Sequence, residues 1–74
     1  MDNTTRTAIR AYYRLHKAFA AVADDPHHPS ALEALQNTAY EANAAMAAAG
    51  LLSTPPAHVF ALVRELYPDF NQEG

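Results

Sequence analysis

Seventy-four residues are enough for one domain and one small core. Eight acidic against five basic residues, net charge −3, argues against a chain built to wrap DNA. The absence of cysteine excludes a disulfide staple, thiol catalysis, thiolate zinc sites and iron–sulfur clusters. Half the residues are apolar, but seventeen of these are alanine, so the core is thin; no apolar run reaches the roughly 18 to 20 residues of a membrane span. The polar start, Met1 to Thr5, lacks the basic-then-apolar order of a secretion signal, and a soluble, cytoplasmic protein is expected. The alanine content suits a GC-rich bacterium or one of its phages.

The first predicted helix covers residues 5–23. Ala8, Tyr12, Leu15, Phe19 and Val22 recur at helical spacing on one face, and Arg6, Arg10, Arg14 and Lys17 follow one another at spacings of 4, 4 and 3 on the opposite face. Tyr13 lies at the margin of that basic stripe. Beyond Lys17 the chain holds one basic side chain, Arg64, against seven acidic ones, so a basic first helix is joined to an acidic remainder. Asp24-Asp25-Pro26 ends the helix, because proline disfavours helical geometry in the residue before it.

The second predicted helix covers residues 31–49. Ser30-Ala31-Leu32-Glu33 reads as a capping box, Leu32, Leu35, Ala39, Ala42 and Met46 as the inner stripe, and Gly50 as the left-handed residue that closes the helix. An outer face of Ala34, Ala44, Ala45 and Ala48 with Glu41 is nearly smooth. The third helix, residues 55–67, is announced by Thr54-Pro55-Pro56, buries Val59, Leu62, Val63 and Leu66, and ends at Tyr67-Pro68. Residues 68–74 form a short tail in which Phe70 alone has reason to fold back. Short connections imply antiparallel neighbours, so the expected fold is all-α, a single up-down-up three-helix bundle over residues 1–74. The third helix is shorter than the other two, which leaves one end of the first pair to be covered by the tail or to stand open as a groove.

Several residues are candidates for function. The stripe Arg6, Arg10, Tyr13, Arg14 and Lys17 suits an acidic protein surface or phosphates, although an amphipathic helix needs a charged outer face in any case. Phe60, Tyr67 and Phe70 either anchor a partner or wrap onto the first helix. Asp24, Asp25, His27 and His28 have metal-ligand chemistry, but adjacent side chains in a short loop seldom converge on one ion, and no metal site is expected. No phosphate-cradling glycine loop, nucleophile elbow or paired histidine motif is present, so neither catalysis nor a cofactor is expected.

The leading expectation is a small non-enzymatic protein-binding module, a regulator, adaptor or inhibitor of a larger protein or complex. An antitoxin, or a phage- or mobile-element-borne inhibitor of a host or defence complex, fits this size. The alternatives are a nucleic-acid-binding regulator of helix-turn-helix type, drawn from the small-residue helix, turn glycine and apolar second helix of residues 45–64, and a structural homodimer subunit.

Overall fold

The chain enters its first helix at Asp2, whose extended backbone and side chain cap the helix: Oδ1 accepts from the Thr5 N–H at 2.7 Å. The computed structural model describes residues 1–70, in which three helices follow in order: α1 (Asn3–Asp24), α2 (Pro29–Ala48) and α3 (Pro56–Leu66). The fold is an all-α three-helix bundle, as the apolar spacing predicts. Of the expected tail, residues 71–74 lie outside the described residues.

Two expected caps are corrected. The helix predicted to open at Ser30 begins at Pro29 with His28 as its N-cap, and no side chain caps it. Proline fixes φ near the helical value and lacks the N–H that would go unpaired, so the helix starts one residue before the serine. Ser30 is thereby inside the first turn, where it cannot act as the cap of a capping box. Likewise Pro55, not Thr54, is the N-cap of α3, and no side chain caps that helix either.

The end of α2 is built as expected. Gly50 has φ +71°, the Leu51 N–H donates to the Met46 carbonyl at 2.9 Å, and the Gly50 N–H donates to the Ala47 carbonyl at 3.1 Å. These are the paired bonds of a Schellman closure, and the apolar contact that accompanies it is supplied by Met46 and Leu51, both in the core. The closure turns the chain back so that α3 can reach α1.

The core consists of Ala8 and Ile9 from α1, Met46 from α2, Leu51 from the connection, and Val59 and Val63 from α3. Ile9 and Val63 are its largest fully enclosed side chains. The buried residues of α1, Ala8, Ile9 and Ala11, all lie in its first half. α1 packs along α2 and against α3, whereas the backbones of α2 and α3 stay apart and the two helices share only core side chains. Ring contacts put α3 beside Tyr12, Tyr13 and His16, which leaves Ala8, Ala11, Leu15, Ala18 and Val22, one stripe at spacings of 3 and 4, for α2. With neighbours on two separated stripes, α1 is the spine of the bundle, and a gap remains between the other two helices.

Candidate protein-docking surfaces

That gap is a cleft of about 320 Å³. Tyr12 and Leu15 of α1 form its floor, Ala39, Ala42, Asn43 and Met46 of α2 one wall, and Pro56 and Val59 of α3 the other, with Leu51, Leu52 and Thr54 closing the end. The lining is apolar apart from Asn43, Thr54 and the Tyr12 hydroxyl. Burial in this environment pushes the Tyr12 phenol above its ordinary pKa.

The same helix faces carry the cleft beyond the reach of α3. Phe19 lies seven residues after Tyr12, and Leu32 seven residues before Ala39; residues seven apart on a helix share a face to within about 20°. Phe19 is 56% exposed and Leu32 45%, and Leu52 at the closed end is 59% exposed. Leu52 lines the cleft, and Phe19 and Leu32 stand beyond its lining on the helix faces that continue it. Tyr40, 80% exposed, stands outside the cleft, about 100° round α2 from Ala39. Both Phe19 and Leu32 read from the sequence as inner-stripe residues. The difference in helix length is the signal that distinguishes them, because an eleven-residue α3 cannot extend to the end of α1.

Phe70 covers a different part of the molecule. Its N–H donates to the Tyr67 carbonyl at 2.9 Å, and its ring meets His16 edge-on at 5.1 Å and Phe60 at 6.0 Å. Phe60 also lies 6.2 Å from Tyr12. Thus Phe60, Tyr67 and Phe70 wrap onto the α1 residues Tyr12, Tyr13 and His16 and are half-buried there. His16, enclosed by these rings, is held below its ordinary pKa by desolvation. His58 is exposed.

Arg6, Arg10, Arg14 and Lys17 all point outward from α1. Tyr13 is half-buried rather than free at their margin, because Tyr67 stacks on it at 3.8 Å; the Lys17 ammonium sits 5.4 Å from the Tyr13 ring centroid, a cation–π distance. The structure joins Tyr13 of the basic stripe to Tyr67 of the apolar set, and leaves Phe60 on the other side of the aromatic cluster beside Tyr12.

Among the described residues, no three His, Cys, Asp or Glu side chains gather as a metal site requires, and Asp24, Asp25, His27 and His28 are all exposed. No helix of the described residues is long and apolar enough to cross a membrane. In a helix-turn-helix the second helix packs against the first; here the backbones of α2 and α3 stand apart on the two sides of the cleft and share core side chains at its closed end. Comparison with protein-family models, with curated proteins and with solved structures returns no match to this chain.

Proposed function

We propose that the chain is a non-enzymatic protein-binding module that acts as a regulator, adaptor or inhibitor by holding a basic amphipathic helix of a larger protein in the cleft between α2 and α3. The observation that carries this reading is the apolar cleft lined by Tyr12, Leu15 and Leu52, with Phe19 and Leu32 exposed on the helix faces that continue it. Covering the exposed parts of Phe19 and Leu32 completely contributes about 2 kcal/mol each, at about 25 cal/mol per Å².

Charge indicates the occupant. From residue 18 to residue 63 there is no lysine or arginine, while Asp24, Asp25, Glu33 and Glu41 lie in that span. Asp24 and Asp25 end α1, where the helix dipole already concentrates negative charge and no basic residue offsets it. Lysine or arginine flanking the apolar stripe of an incoming helix relieves this repulsion as Phe19 and Leu32 are covered.

The test is site-specific photocrosslinking in cells that produce the protein, with a photoreactive phenylalanine analogue at position 19 or, as control, at position 40. A crosslink from position 19 to a helical segment rich in lysine or arginine, absent from position 40 and lost with Leu32→Ser and Leu52→Ser, supports the reading. A crosslink to a second copy of the chain assigns the cleft to self-association, and equal labelling from both positions removes it from consideration.

A further inference from the structure

On the side of α1 away from the cleft, Thr7, Arg10, Arg14 and Tyr67 line a separate hollow of about 350 Å³. Thr7, Arg10 and Arg14 follow at spacings of 3 and 4, so their side chains rise from one ridge of α1. Tyr67 reaches this ridge from the end of α3 and is fixed in place by its stack on Tyr13, with ring planes within 6° of parallel. Among the described residues no carboxylate lines the hollow, and Arg10 and Arg14, one helical turn apart, share it as two like charges.

We propose that this hollow binds a phosphomonoester carried on a side chain of a partner protein. A phosphomonoester near neutral pH carries about −1.5 to −2 charges and three acceptor oxygens, which matches two arginines and the hydroxyls of Thr7 and Tyr67. Guanidinium forks take such a group through paired, charge-assisted hydrogen bonds. A carboxylate brings one charge and two oxygens and leaves one arginine uncompensated. A nucleic acid brings one charge per phosphodiester, and its further phosphates meet a chain of net charge −3. The inference is independent of the cleft and its occupant.

The experiment is an NMR titration of the ¹⁵N-labelled full chain with a nine-residue phosphoserine peptide, its serine and glutamate counterparts, a nucleoside monophosphate and a twelve-nucleotide single-stranded DNA. The expected result is saturable shifts of the Thr7, Arg10, Arg14 and Tyr67 amides with the phosphoserine peptide, at least tenfold weaker binding of every other ligand, and at least tenfold loss in Arg10→Ala and Arg14→Ala. Arg6→Ala, on the same stripe but outside the hollow, changes affinity less than threefold. Circular dichroism confirms that each variant keeps its helices. Equal loss in Arg6→Ala reduces the effect to diffuse charge and overturns the site. Tighter binding of the DNA, equal binding of the glutamate peptide or of the nucleotide, or no saturation at millimolar phosphopeptide overturns the proposed ligand.

Discussion

Tyr13 and Tyr67 stack face to face, with ring centroids 3.8 Å apart, and so tie the end of α3 to the basic side of α1. Val59 and Val63 in the core and the contacts of Phe60 with Tyr12 and His16 also hold α3, and the stack is the link at its end. Tyr67→Ala is expected to lower stability by about 1–2 kcal/mol, from the lost stack and partly buried ring area. Tyr67→Phe, which keeps the ring, is expected to stay within about 0.5 kcal/mol. Urea unfolding followed by circular dichroism separates the two.

Ile9 and Phe19 are both large apolar residues of α1 with opposite expected costs. Ile9 is fully enclosed, so Ile9→Ala removes about 2–5 kcal/mol, a large share of the roughly 5 kcal/mol available to a small domain, and leaves much of the protein unfolded. Phe19→Ser is expected to change stability by less than about 1 kcal/mol, because the ring is already more than half in water. Thermal unfolding of the two variants decides the matter, and a cost above about 2 kcal/mol for Phe19→Ser contradicts an open cleft.

Acid should loosen the start of α1. The Thr5 backbone N–H, and then the Thr5 side chain, hold the Asp2 carboxyl below its ordinary value of 3.8. The folded-state pKa is depressed, so the contribution of the cap is complete above about 3.8 and is lost as pH falls through the folded value. Amide exchange at Thr5 and Arg6 is expected to accelerate in Asp2→Ala at neutral pH, while Asp2→Asn, which keeps an acceptor, protects these amides without the acid dependence.

His16 acts over a higher window with the same sign. Its neighbours are the uncharged rings of Tyr12, Phe60 and Phe70, and burial lowers its pKa from the ordinary 6.5. The fold favours the neutral imidazole, so this stability is complete above about 6.5 and falls as pH drops through the folded value. Melting temperature is expected to decline between pH 7.5 and pH 5 in the wild type, and less so in His16→Leu.

Much of this architecture is legible in the sequence because its punctuation is strong: Asp25-Pro26, Gly50 and Tyr67-Pro68 end the helices as their backbone chemistry requires. The starts are harder to place. Ser30 and Glu33 have the spacing of a capping box, yet Pro29 before them is itself a good first-turn residue and takes the position. A helical wheel also hides the division of α1 into two stripes, since an apolar face gives no indication that two neighbours share it at separate angles. Ile9, the most enclosed large residue of α1, therefore falls outside the predicted stripe, and Phe19 falls inside it. Ala45 and Ala48, expected on a smooth outer face, instead border a hollow with Asn3, Thr4 and Thr7 of α1.

If the cleft receives a basic amphipathic helix, it distinguishes two designed eighteen-residue helices with the same leucine stripe, one carrying lysine on its polar face and the other glutamate. Each is titrated into the ¹⁵N-labelled protein while amide shifts are recorded. Saturable shifts are expected at Leu15, Phe19, Leu32, Ala39 and Leu52 with the lysine helix, much weaker ones with the glutamate helix, and their loss in Phe19→Ser combined with Leu32→Ser. Equal binding of both helices, or shifts that survive the double substitution, would contradict it.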